Sequence, residues 1–210
     1  MTDRDLWVEE RQLRGEGYAV LCGADEAGAG PLAGPVYAAA VILPPELCIA
    51  GLDDSKKLTA KKRDLLFDEI RRQAVAWAVS AVSAAEIDEI DILNARMLAM
   101  DRAIAQLAVR PDLALIDGNR DHGSRCAIHA PHRLLVHGDS RSANIAAASI
   151  LAKVSRDRYM EQLAQQYPAY GFEKHKGYGT KAHYAARDAW GPSPVHRRSF
   201  LKKWEAQRHE

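Results

Sequence analysis

Three apolar runs in this chain stop at an acid. "YAVLCGAD", residues 18–25, leads into Asp25 and Glu26; "PDLALIDGN", 111–119, carries Asp117; "HRLLVHGDS", 132–140, carries Asp139. Such short aliphatic runs bounded by Gly, Pro, Asp or Asn read as strands buried in a sheet. Two more strands are read at 34–44, stopped by Pro44 and Pro45, and at 75–83. Thr59 is a good N-cap for a helix running to about Ala74. Residues 83–107 are expected to be helical with a break near Asp91, and the alanine-rich segment 142–166 is the strongest helix. A polar helical lead-in at 1–17 and short helices at 181–188 and 200–207 complete the reading. The first strands follow one another closely, whereas the later ones are separated by helices. That order calls for an α/β fold built on a mixed sheet with helices on its faces.

Composition narrows the class. The 210 residues carry a formal charge of +1, so no global field argues for a polyanionic partner. The charge is nevertheless uneven. "SKKLTAKKR", 55–63, holds five cations in nine residues, and residues 171–210 hold nine Lys/Arg against four Asp/Glu. Either stretch could be an ordinary solvated face. The three cysteines, Cys22, Cys48 and Cys126, form no CxxC pair, which argues against a disulfide framework or a zinc knuckle and for a reducing, cytoplasmic setting. The N-terminus is too charged for a signal peptide, and no run of about 18 apolar residues is present for a membrane helix. The expected organisation is one domain over 1–190 and a basic tail over 191–210, within that domain or partly flexible.

The strand ends carry the chemistry. In α/β sheets functional groups collect at one end of neighbouring strands. If the three acid-ending strands are adjacent and level, four carboxylates converge, raise one another's pKa and lose hydration. All-oxygen donors without a Cys or His set suit hard divalent ions such as Mg²⁺ or Mn²⁺. Asp25 and Glu26 are neighbours, and neighbours on a strand point to opposite faces. Both can serve one site only if the strand is ending, and Gly28 and Gly30 would allow that turn. The competing reading is plain: an Asp after a strand is often a turn former, and Asp139 before Ser140 could cap the next helix.

"GADEAGAGPLAGPV", "LDDSKKLTAKKR", "LALIDGN", "HGDSRSANIAAASILAKVSRDRYM" and "HKGYGTKAHY" follow in that order. Together they resemble type 2 ribonuclease H (ribonuclease HII) from about residue 19 to residue 183. The resemblance implies a ribonuclease H-like fold: a five-stranded mixed sheet flanked by helices, with a helical C-terminal extension. It implies hydrolysis of the RNA strand of RNA–DNA hybrids and incision 5′ to single ribonucleotides in duplex DNA, giving 3′-hydroxyl and 5′-phosphate ends. Asp25, Glu26, Asp117 and Asp139 would be the catalytic acids and would bind two Mg²⁺ or Mn²⁺ ions with substrate. Tyr178 of "KGYGT" would lie against the sugar after the ribonucleotide. Gly28, Ala29 and Gly30 would face the RNA–DNA junction. Lys56, Lys57, Lys174, Lys176 and Lys181 would hold phosphates, and Ser140, Ser142 and Asn144 would either meet the nucleic-acid backbone or cap the helix. The partners expected are RNA–DNA hybrid and ribonucleotide-containing duplex DNA, with no membrane and a monomeric state.

Two positions depart from the family's pattern. The family usually has arginine where this chain has Ala29, which removes five donors and one charge from a phosphate contact. Another cation, in 55–63 or at Arg141, could reach the same phosphate; otherwise junction recognition is weakened. His137 stands where lysine is common, as a pH-sensitive neighbour of Asp139 or an exposed substitute. Two other functions compete. A non-catalytic binding module would have no use for clustered negative charge near phosphates. A resolvase or transposase would share the acids but not "KGYGT".

Overall fold

The computed structural model describes residues 5–206; the first four residues of the expected lead-in and the last four of the tail lie outside the described residues. The chain forms α1 (Val8–Gly15), β1 (Leu21–Ala27), β2 (Val36–Ile42), α2 (Ala60–Gln73), β3 (Ala76–Val82), α3 (Ala84–Ile90), α4 (Ile92–Ala105), β4 (Leu113–Asp117), β5 (His132–Leu135), α5 (Ala143–Gln166), α6 (Phe172–His175), α7 (Lys181–Trp190) and α8 (Arg198–Ala206). The strands make one sheet in the order β3-β2-β1-β4-β5. β1 and β2, and β2 and β3, pair antiparallel; β1 and β4, and β4 and β5, pair parallel. This is the mixed five-stranded sheet that the resemblance implies.

Local chemistry sets the helix boundaries. The Thr59 hydroxyl accepts from Lys62 N at the start of α2, and Ser83 with Glu86 forms a reciprocal capping box at α3. Asp91 breaks the 83–107 segment: its φ of 67° ends α3 while its carboxylate accepts from Asn94 N and starts α4. Ser142 caps α5 by accepting from Ile145 N. The last strand is shorter than read. β5 ends at Leu135 because His137 takes a left-handed conformation (φ 56°), and residues 138–140 form a 3₁₀ turn. The four-residue α6 was not foreseen.

Alternation along β1 and β4 divides the core. Cys22, Ala24, Ala114 and Ile116 face α4, packing with Met97, Met100 and Ala103. On the other face Ala39 and Val41 of β2 meet Ala147, Ile150 and Leu151 of α5, with Phe67 and Ile70 of α2 beyond. Helix α5 lies almost directly on β1. A Cβ at Gly23 would sit 2.2 Å from Ile145 N and 2.3 Å from the Asn144 carbonyl carbon. Glycine there, and alanine along the helix, allow the approach. The C-terminal region is built into the same body: Gly34 N donates to Val195 O at 2.8 Å, and Leu201 is buried.

Candidate active site

Register brings the acids together. The β1–β4 ladder ends at the pair Ala24–Ile116, so Asp25 and Asp117 are the next residues on adjacent parallel strands and lie level. Both have the parity of Gly23 and Leu115, the face covered by α5. The Asp117 carboxylate accepts from Gly138 N at 2.7 Å, which ties the 138–140 turn to the strand end and swings Asp139 inward. One oxygen from each of Asp25, Asp117 and Asp139 lies within 4.8 Å of the others. Asp25 and Asp139 are buried. Burial, then the charges of Glu26 and Asp117, push the Asp25 carboxyl well above the usual range. Asp139 is raised by burial and by Asp117 and Asp54, against Lys56. The Lys56 ammonium stands 3.5 Å from Asp139. Burial works against its charge, but Asp25, Asp139, Asp54 and Asp117 hold it on. Three convergent anionic oxygens with one cation nearby are a donor set that fits a hard divalent ion.

Glu26 behaves differently from the expectation. β1 does not end at Asp25: it stays paired to β2 through Glu26–Ala38 and Ala27–Tyr37. Glu26 therefore points to the α4 face, where its Oε1 meets the Arg96 guanidinium at 2.6 Å. Its Oε2 is buried and meets no hydrogen-bond partner among the described residues. Burial, with Asp117 adding to it, still raises its pKa against the pull of Arg96.

The glycine segment lies against the Tyr178 loop. A Cβ on Gly30 would touch the Tyr178 ring at 3.8 Å, and Leu32 N donates to Gly177 O at 2.9 Å. Tyr178 is 44% exposed, so its ring is presented to solvent beside this loop. Gly28 has φ 94°, and a Cβ there would sit 2.0 Å from Nε of Arg156.

The remaining candidates scatter. Lys57 pairs with Asp53 at 3.2 Å, and Lys176 with Glu161 at 2.7 Å. Lys174 and Lys181 are exposed. Ser140 is partly exposed, its hydroxyl donating to His137 O at 2.9 Å. Asn144 is not available to a substrate. It is fully buried, its Oδ1 accepting from Leu43 N at 2.8 Å and its Nδ2 donating to Glu10 at 3.1 Å, so it fastens α5 to β2 and α1. Ser142 takes the capping role, donating also to Glu10 at 2.6 Å. Arg141 is engaged by Glu9, and Arg63 turns to Ser55 O and Asp157; neither supplies Ala29's missing cation in this arrangement. His137 is exposed.

Reading the sequence missed the residues that support the site. Arg96 and Glu10 look like ordinary helix-surface charges. Arg156 had a signal, since it falls among the buried positions of α5 with Ala152 and Met160. Arg197, His183 and His196 lie in a stretch that reads only as basic.

Comparison with known proteins fits this geometry. The family model described as Ribonuclease HII matches residues 22–203. The Ribonuclease HII of Dechloromonas aromatica is 58% identical over 182 residues, covering 86% of this chain and 90% of that protein. The Ribonuclease HII of Caldicellulosiruptor saccharolyticus is 50% identical over 200 residues, covering 95% and 96%. The crystal structure of ribonuclease H2 from Pyrococcus horikoshii OT3 superposes with a TM-score of 0.69 at 27% identity, covering 86% of this chain and 93% of that one. A family match over most of the length, on a sheet whose strand ends bring acids together, settles the lineage: this chain belongs to the ribonuclease HII family, whose members are ribonuclease H endonucleases.

Proposed function

We propose that the chain is a divalent-metal-dependent endonuclease that hydrolyses the RNA strand of RNA–DNA hybrids and incises 5′ to single ribonucleotides in duplex DNA, leaving 3′-hydroxyl and 5′-phosphate ends. The observation that carries this reading is the convergence of Asp25, Asp117 and Asp139 within 4.8 Å, on strands whose continuation forms the glycine loop beside Tyr178. These three acids would hold Mg²⁺ or Mn²⁺, with Glu26 contributing the oxygen that has no partner. Ions bound there make a water nucleophilic at neutral pH and stabilise charge on the leaving oxygen. The chain's own groups do the rest. Lys56 offers a cation for a phosphate beside Asp139. The Gly28–Gly30 backbone approaches the ribose closely because no bulky side chain intervenes. Tyr178 lies against the next sugar and favours one without a 2′-hydroxyl, the group that separates RNA from DNA. The protein works as a monomer in the cytoplasm.

The test is cleavage of a hybrid, of duplex DNA with one ribonucleotide, and of an all-DNA junction, each with Mg²⁺, Mn²⁺ or chelator. Cutting of the first two only, dependent on metal and reduced on the order of 100-fold or more in Asp117→Asn, supports the reading. Metal-free cutting or cutting of the all-DNA junction overturns it. Ala29 leaves junction recognition weaker than an arginine would. Ala29→Arg restores one charge-assisted hydrogen bond of about 1.5–3 kcal/mol. It is expected to raise kcat/KM on the single-ribonucleotide duplex by about one to two orders of magnitude. No gain on either substrate refutes that assignment.

A further inference from the structure

Two arginines lie fully buried beneath the glycine loop, and among the described residues neither has a carboxylate within ion-pair distance. Each spends its guanidinium on main-chain carbonyls. Arg197 donates from Nε to Gly34 O at 2.9 Å, from Nη1 to Ala29 O at 2.8 Å and from Nη2 to Gly28 O at 2.6 Å. Arg156 donates from Nε to Pro35 O at 3.0 Å, from Nη1 to Lys176 O at 3.0 Å and from Nη2 to Ala33 O at 3.2 Å. Six carbonyls, five from the glycine segment and one from the Tyr178 loop, are thereby turned inward. The amides of Gly28, Ala29 and Gly30 meet no acceptor among the described residues.

Burying a charge without a counter-ion is expensive, and two such charges near each other repel. Hydrogen bonds to carbonyl dipoles offset part of that cost but leave the net charge in place. An apolar side chain would fill either position without this penalty. A fold that keeps both guanidiniums has put two positive charges directly under a loop whose own residues carry none, and the planar peptides whose carbonyls Arg197 holds turn the amides of Ala29 and Gly30 away from it. Backbone amides of this kind make anion-binding concavities.

We infer that Arg156 and Arg197 are positioning residues: Arg197 turns the Ala29 and Gly30 amides outward, Arg156 braces the segment behind them, and both supply, from beneath the loop, the positive field that draws a substrate phosphate onto it. Arg156 also spans the two halves of the site: its guanidinium carbon lies 5.8 Å from the centre of the Tyr178 ring, and the Gly28 backbone packs on its Nε. Ala29 thus sits over two buried charges although its own side chain carries none. Burial and the charge of Arg156 lower the Arg197 pKa to about 9, which leaves it charged at neutral pH. The inference rests on the nuclease reading for the identity of the anion.

Charge and scaffold separate in two variants. Arg197→Lys keeps the charge and loses most of the carbonyl bonds; Arg197→Gln keeps part of the bonding and loses the charge. With wild-type cleavage of a hybrid as the control, Arg197→Gln is expected to raise KM about tenfold with kcat little changed. Its binding should also fall less steeply with salt, by up to about one in the log–log slope. Arg197→Lys should weaken binding by about threefold, through the lost carbonyl bonds, while keeping the wild-type slope. Equal losses in both variants with an unchanged salt slope, or wild-type binding by Arg197→Gln, overturn the inference while leaving the nuclease reading intact. Absence of hybrid cleavage by wild type defeats the nuclease reading instead. Should either variant fail to fold, amide NMR of the wild-type protein titrated with uncleaved duplex in chelator decides. Shifts confined to Ala29 and Gly30 among the loop amides support it, and none there refutes it.

Discussion

Replacing Asp25 by Asn should stabilise the metal-free protein and abolish its stabilisation by metal. Two carboxylates with oxygens within 4.8 Å of each other repel by about 3 kcal/mol or more at an effective dielectric of 20. Asp25 is buried and faces Asp117, and its charge is opposed by desolvation before any neighbour is counted. Removing that charge relieves the repulsion and forfeits the attraction of Lys56, for a net gain of about 1–3 kcal/mol. The bond from Glu26 N to Asp25 Oδ1, 2.7 Å, survives because Asn keeps that oxygen. For a chain of this length each kcal/mol moves Tm by about 2–4 °C, so the metal-free variant should melt roughly 2–12 °C higher. Wild type at 100 times the Kd for Mn²⁺ should gain about 2.7 kcal/mol, and the variant almost nothing. Thermal melts of both proteins in chelator and in a Mn²⁺ series measure the two effects together. A lower Tm for Asp25→Asn in chelator would show that the carboxylate is a net support of the fold. Equal Mn²⁺ responses would show that the ion binds elsewhere. Either result refutes the electrostatic argument for the site.

Acid should destabilise the protein through His196. Its Nε2 lies 3.0 Å from His183 Nε2, its Nδ1 accepts from Ser193, and Tyr170, Phe172 and the charges of Arg187 and Arg198 surround it. Burial, followed by His183, lowers its pKa from 6.5 to about 4. The unfolded chain takes up this proton first, so stability is whole above about pH 6.5 and falls by about 3 kcal/mol as pH drops towards 4. Urea midpoints between pH 7.5 and 4.5 should show this slope and its loss in His196→Gln; identical profiles would count against it. Gly23→Ala places a Cβ 2.2 Å from a helix backbone nitrogen, so α5 must lift from β1. A loss of about 1–3 kcal/mol in urea unfolding is expected, and an unchanged midpoint would show that the contact is looser than drawn.

Different kinds of information decide what the sequence discloses here. The acid-ended strands were legible because burial and strand endings are local patterns, and three repeats of one pattern imply a common end. The level alignment of Asp25 with Asp117 was a conditional guess that the Ala24–Ile116 register turns into geometry. Glu26 shows where local reasoning stops. Its neighbour relation to Asp25 suggests a shared site, and it does feel the charge of Asp117, but continued pairing to β2 also gives it Arg96, a partner seventy positions away with no local mark. Asn144 errs in the opposite direction: the sequence leaves it to meet a nucleic-acid backbone or to cap α5, but Glu10 arrives from the lead-in helix and encloses it. The deepest omission was the pair Arg156 and Arg197. Charge in a sequence is read by default as surface, because burial without a counter-ion is costly. Only the folded chain shows that the carbonyls of a glycine-rich segment, stripped of side chains, can serve as those ions' partners. The same lack of side chains that opens the loop to a ligand on one side therefore admits the two guanidiniums on the other.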